Sequence, residues 1–221
     1  MQGLTQLHEN GYRICLFFIF PIQDCNQTGT IASILYMDNQ EELKYIQRIC
    51  NGETYLFSSL LNRYSRSIYS LIARIIPSRE DAEELTQDTF MKAFRKLDSF
   101  KGDCSFSTWL FRIAYNTAVS ATRKTRIVFP VIDEAIIDRV SDDAAEAAFE
   151  EDANEELLHK LETAIGKLNI EERMLITLYY SENKPIAEVA SILEMSTDNV
   201  KIKLFRVRKK LYVLMDINKP S

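Results

Sequence analysis

Residues 196–211 (STDNVKIKLFRVRKKL) constrain the fold more tightly than any other stretch of the chain. Val200, Leu204, Val207 and Leu211 recur at i, i+4, i+7 and i+11. An α-helix turning about 100° per residue gathers them into one apolar stripe. Lys201, Phe205, Arg206 and Lys209 then point the other way, with Arg208 and Lys210 along the flanks. Upstream, PIAEVASILEMS (residues 185–196) supplies a second amphipathic helix and a turn, and Ser196 caps the basic helix. Helix, turn, basic helix is the arrangement that lays its second helix in the DNA major groove. A basic face is most often just a solvated face. Phe205 argues otherwise here, because a large aromatic among cations, opposite the packing stripe, suits a partner that is both anionic and apolar. Groove edges and sugars are such a partner.

Composition sets the frame for the rest. At 221 residues the chain has room for one sizeable core or two small ones. Hydrophobic content of 46% with 27% charged residues reads as soluble and globular, and the scarcity of Gly and Pro favours an all-helical fold. A net charge of −5 would by itself argue against nucleic acid, but the charge is segregated. Between Asp133 and Glu156 the only base is Arg139, whereas residues 201–210 are the reverse. A basic binding face does not require a basic protein. The four cysteines have no CxxC spacing and the two histidines are isolated, so no zinc site is expected and free thiols in a reducing, cytoplasmic compartment are the default. The most apolar run, residues 14–22, is shorter than the roughly 20 residues a bilayer span needs.

Residues 1–36 do not resemble the rest of the chain and are read as an extension outside the fold, with a possible true start at Met37. Four helices are expected in a first domain, residues 39–126. They cover about 41–50, ending at Asn51-Gly52, then 54–76, broken by Pro77, then 79–97 and 106–123. Ser78 caps the third, whose packing face is Ala82, Thr86, Phe90, Ala93 and Leu97. Glu84, Gln87, Asp88 and Met91 cluster on its opposite face, a surface suited to a basic, partly apolar protein partner. The fourth helix packs through Phe106, Leu110, Ile113 and Ala114. Trp109, Arg112, Asn116 and, further along, Arg123 run beside that stripe. Indole and guanidinium planes can stack an unpaired base, and Asn can hydrogen-bond a base edge. The simpler alternative is that Trp109 is core and Arg112 covers it.

Residues 127–153 read as an acidic, flexible linker and residues 154–215 as a second helical domain. In that domain Leu157, Leu161, Ile165 and Leu168 mark one helix, Asn169 caps the next (170–180), and Pro185 opens the helix-turn-helix.

Two stretches then carry a family resemblance. DAEELTQDTFMKAFRKLDSFKGDCSFSTWLFRIAYNTA (residues 81–118) closely resembles the second conserved region of bacterial RNA polymerase sigma factors, in the small extracytoplasmic-function group of the sigma-70 family. LETAIGKLNIEERMLITLYY and IAEVASILEMSTDNVKIKLFRVRKKL resemble that family's fourth region, in the family's order and spacing. The resemblance implies an all-α protein of two small domains that binds and does not catalyse. Asp81, Glu84, Gln87 and Asp88 would face the clamp helices of core RNA polymerase. The loop containing Lys101, Asp103 and Ser105 would form a pocket for a flipped base of the minus-ten element, with Trp109, Arg112, Asn116 and Arg123 contacting and helping to melt that element. Ser196, Lys201, Ile202, Phe205, Arg206 and Lys209 would serve the minus-thirty-five element; Ile202 departs from the small polar residue of the family pattern. The acidic linker would occupy polymerase channels otherwise meant for nucleic acid. An anti-sigma factor, often membrane-bound in this group, is the further implied partner.

Two other readings compete. A sigma-like decoy would bind an anti-sigma factor without DNA, and so should lack the DNA faces. An ordinary helix-turn-helix regulator would bind a palindrome alone and need no outward Glu84/Gln87/Asp88 cluster. An enzyme is disfavoured because the sequence offers no metal cluster, nucleophile–base constellation or Gly-rich phosphate loop, and neither a cofactor nor a small-molecule substrate is implied.

Overall fold

The computed structural model describes residues 39–123, 134–141 and 155–216. The extension, the proposed start at Met37 and most of the linker therefore lie outside the described residues. Every regular element among the described residues is helical, and the chain divides into two compact units.

The first unit holds α1 (Asn39–Cys50), α2 (Phe57–Ala73), α3 (Arg79–Arg95) and α4 (Phe106–Thr122). Gly52, at a φ of 109°, lets the chain leave α1, and the N–H groups of Gly52 and Glu53 donate to the Ile49 and Arg48 carbonyls. The expected helix over 54–76 is shorter at both ends. It opens with a 3₁₀ turn, Thr54–Leu56, and its last turn tightens into Arg74 N–H to Leu71 and Ile75 N–H to Ile72 bonds. Pro77 disfavours helical backbone at Ile76 and accounts for the early stop. Helix α3 likewise ends at Arg95, and Leu97–Ser99 form a 3₁₀ turn. Its cap is the expected one: the Ser78 hydroxyl accepts from the Asp81 N–H at 3.2 Å. Helices α2, α3 and α4 pack pairwise around Leu60, Ile68, Leu71, Ile72, Phe90, Leu110 and Phe111, all buried. Inside this unit the Tyr64 hydroxyl donates to the buried carboxylate of Glu42 at 2.6 Å. Burial, the Glu42 charge and that bond hold the Tyr64 phenol well above its usual range.

The second unit contains α5 (Glu134–Asp138), α6 (Glu155–Gly166), α7 (Ile170–Ile176), α8 (Ile186–Leu193) and α9 (Thr197–Asp216). Part of the acidic linker is thus helical: α5 lies beside α9. The expected helix 170–180 is α-helical only to Ile176, and Thr177–Ser181 continue it as a π-helical turn. Asn169 and Glu172 form a reciprocal capping box at its start. Helix α8 ends where Glu194 takes a φ of 56° and the Met195 N–H donates to the Ala190 carbonyl. Helix α9 packs against α6 and α7. Val200, Leu204, Val207 and Leu211, the stripe predicted from periodicity, are each 5% exposed or less.

Candidate nucleic-acid and polymerase interfaces

On α3 the first-turn acids are placed by the Ser78 cap, where the helix dipole favours them. Asp81, Glu84, Gln87 and Asp88 are all solvent-accessible, and at about 100° per residue they share one face with Met91. The face has an apolar margin that periodicity alone does not single out. Phe94 is exposed and meets Phe57 of α2 edge-on at 4.9 Å, one turn before the exposed Leu61. Acids beside exposed Met and Phe can meet a partner that is basic and partly apolar.

Helix α4 begins at Ser105, whose hydroxyl accepts from the Thr108 N–H at 3.2 Å. Ser105 therefore has a capping role whatever else it does. At the other end of the loop, Phe100 packs 5.6 Å from Phe106 and 5.5 Å from Trp109. The loop is held at both ends, leaving Lys101, Gly102 and Asp103 exposed between them. Gly102 adopts a φ of 82°, a conformation L-residues rarely take.

Trp109 is only 8% exposed and belongs to the aromatic cluster of Phe100 and Phe106. The alternative of a core indole flanked by Arg112 describes most of its surface. Its remaining edge lines an open cavity of about 440 Å³ between α3 and α4, shared with Arg112 and Asn116. Arg112 and Asn116 are exposed, so they, more than the indole, present polar groups to a ligand. Arg123, at the carboxyl end of α4, is exposed but does not line this cavity.

Lys92, Lys96, Ser99 and Ser120 line the same cavity, and sequence reasoning does not pick them out. A signal for two of them is present: Lys92 and Lys96 are four residues apart at the basic end of α3. Placing that end against α4 requires the packing of the two helices. Lys92 also donates to the Thr117 hydroxyl at 3.2 Å, tying α3 to α4 across the cavity. Cations, hydroxyls, an amide and an indole edge around one open groove can take a single strand by its phosphates and bases.

In the second unit, side-chain pairs sort the cations of α9. Lys203 pairs with Glu171, and Lys210 donates to both oxygens of Glu172 at 2.9 and 2.8 Å. Arg208 Nε donates to the Tyr180 hydroxyl at 2.6 Å. These three hold α9 against α7 and the π-helical turn that continues it. Lys201, Ile202, Phe205 and Arg206 are exposed, and Lys209 places its ammonium 4.7 Å from the Phe205 ring centroid. Lys201 lies 3.3 Å from Asp198 on the surface, a separation and exposure at which pairing contributes little. Ser196 is exposed and caps the helix, accepting from the Asn199 N–H at 3.2 Å. The outward face of α9 is therefore cationic with two large apolar side chains in it. Its dimensions and charge suit a major groove.

One chain thus carries an acidic–apolar helix face, an open groove lined by cations and an indole edge, and a second helix whose outward face is cationic and partly apolar. Comparison with known proteins makes this specific. Residues 60–127 match the family model for Sigma-70 region 2, and residues 158–211 that for Sigma-70, region 4. The ECF RNA polymerase sigma-E factor of Salmonella typhimurium (strain LT2) is 32% identical over 173 residues, covering 75% of this chain and 90% of its own length. The Escherichia coli K12 protein of the same name matches over the same extent. The ECF RNA polymerase sigma factor SigW of Bacillus subtilis is 29% identical over 174 residues, covering 76% and 93%. Among solved structures, CnrH, in complex with the cytosolic domain of CnrY, superposes with a TM-score of 0.58 at 23% identity, covering 80% of this chain and 97% of that one. RpoE of Bartonella quintana, in complex with the anti-sigma factor NepR, gives 0.54 at 22% identity, covering 74% and 98%. The chain belongs to the sigma-70 family of bacterial RNA polymerase sigma factors, in its extracytoplasmic-function group.

Among the described residues no helix is long and apolar enough to cross a membrane.

Proposed function

We propose that the protein docks on core RNA polymerase in the cytoplasm, reads two promoter elements and promotes DNA melting for transcription initiation, by binding and without catalysing a reaction itself. The observation that supports this is the occurrence of two unlike surfaces, an open groove lined by Lys92, Lys96, Arg112, Asn116 and an edge of Trp109 in the first unit and the cationic outward face of α9 in the second, within the two matched sigma regions. Asp81, Glu84, Gln87 and Asp88 are assigned to core polymerase. Arg112 and Asn116, with Lys92 and Lys96, are assigned to the melted non-template strand of the minus-ten element, and Lys101, Asp103 and Ser105 to the rim of the flipped-base pocket. Trp109 supplies an edge of that site and the core beneath it, and Arg123 a phosphate contact. Lys201, Ile202, Phe205, Arg206 and Lys209, with Ser196 at the cap, are assigned to the minus-thirty-five element. Unstacking a base costs a few kcal/mol, which stacking and hydrogen bonding in such a pocket offset. An anti-sigma factor that covers the polymerase-docking face fits the same assignment; CnrH and the Bartonella RpoE were each solved with a bound partner.

Run-off transcription with purified core enzyme tests the reading. Addition of the protein is expected to give discrete promoter-dependent transcripts that core alone does not make. A protein that binds core yet never directs a specific start is a decoy, and the proposal fails.

A further inference from the structure

Ile202 stands on the outward face of α9 with a side chain that can neither neutralise a phosphate nor make a hydrogen bond. The buried stripe of Val200, Leu204, Val207 and Leu211 fixes the rotation of the helix. At about 100° per residue Ile202 lies within about 10° of the direction opposite that stripe. It is 58% exposed, and Phe205, three residues on along the same face, is 41% exposed. Neither exposure helps the helix form, since β-branched and aromatic residues are poorer helix formers than the Lys and Arg around them. The Lys209 ammonium over the Phe205 ring brings positive charge to the edge of this apolar step. Lys201 and Arg206 flank it with further charge.

Base edges in the major groove offer donors, acceptors and a single apolar feature, the thymine 5-methyl group. Sugars can also offer an apolar contact, but they carry no sequence information, so an isoleucine centred on a groove-facing helix can choose sequence only through that methyl. We infer that Ile202, with the Phe205 ring beside it, reads the methyl group of a thymine in the upstream promoter element, so that the base pair facing Ile202 is A·T or T·A. The inference rests on the proposed entry of α9 into the groove of that element and adds the chemistry by which it chooses sequence.

Holoenzyme reconstituted from core polymerase and the full chain selects its preferred upstream element from a randomised duplex library. That element is then resynthesised with deoxyuridine replacing one thymine at a time, which keeps base pairing and removes only the methyl. At one or two positions the affinity of the wild-type holoenzyme is expected to fall about fourfold per methyl lost, the worth of one buried methylene-sized group. Ile202→Ser, a substitution at a solvent-facing position, is expected to lose that sensitivity, and Ile202→Val to keep most of it. Equal affinity for every uracil-substituted duplex, or unchanged sensitivity in Ile202→Ser, overturns the inference while leaving groove entry intact. Selection that yields no upstream sequence preference overturns groove entry and this inference together.

Discussion

Glu172 occupies two structural roles at once, and its removal tests how α9 is seated. Its carboxylate accepts from the Asn169 N–H at 3.0 Å, completing the capping box of α7, and from Lys210 of α9 at 2.8 and 2.9 Å. The two side chains are 21% and 13% exposed, so the pair is shielded more than an ordinary surface bridge. Loss of the cap is worth ~1 kcal/mol, and loss of a partly buried, charge-assisted pair ~1.5 kcal/mol. Glu172→Ala should therefore destabilise the second unit by ~2.5 kcal/mol. Glu172→Gln keeps an acceptor for the Asn169 N–H and should cost about half as much. Hydrogen exchange resolved by mass spectrometry isolates the unit from the rest of the chain. Its slowest amides should exchange ~70-fold faster in Glu172→Ala, the equivalent of ~2.5 kcal/mol. Lys210→Met combined with Glu172→Gln should cost less than the sum of the two. Exchange accelerated less than threefold in Glu172→Ala, or strict additivity with Lys210→Met, would refute the claim that this pair seats α9.

Gln87→Ala with Asp88→Ala should weaken retention of the protein on immobilised core polymerase several-fold while leaving its thermal melting unchanged, since both side chains are exposed. Trp109→Ala should destabilise the first unit by ~3 kcal/mol because it empties the Phe100–Phe106 cluster; an unaltered melting temperature would show the indole to be a surface group. The raised phenol of Tyr64 has a pH signature. Its folded-state pKa lies above the ordinary value of about 10, so the unfolded chain sheds that proton first. Its contribution is complete below the ordinary value and declines as the pH rises from there through the folded-state value. In Tyr64→Phe that part of the alkaline decline in stability should be missing, a difference measurable by urea unfolding on either side of pH 10.

Much of the architecture is legible in the sequence because periodicity is a local property. The stripe in α9, the caps at Ser78, Asn169 and Ser196, and the stop at Asn51-Gly52 each depend on residues within one or two turns. Features decided by tertiary packing are less accessible. Trp109 lies on the edge between two faces of α4, and only the arrival of Phe100 from the loop shows how deeply it is covered. The basic end of α3 becomes part of a groove only once α4 is packed beside it. Periodicity separates the outward cations of α9 from the others but does not name the partners of the rest: Glu171, Tyr180 and Glu172, met by Lys203, Arg208 and Lys210, come from 28 to 38 residues away in the chain. The π-helical turn after α7 has no sequence signature that distinguishes it from continued α-helix.

On the proposed function the two units do different work on one promoter, melting in the first and duplex recognition in the second. Permanganate reactivity of unpaired thymines, measured beside a gel shift of the closed complex, separates the two roles in holoenzymes carrying wild-type protein, Arg112→Ala or Arg206→Ala. Both substituted side chains are exposed, so neither change should disturb folding. Arg112→Ala should retain most closed-complex binding and lose most thymine reactivity. Arg206→Ala should lose closed-complex binding itself, with reactivity falling in proportion. Parallel losses of binding and opening in both variants, or wild-type holoenzyme that leaves every promoter thymine unreactive, would rule out this division of labour.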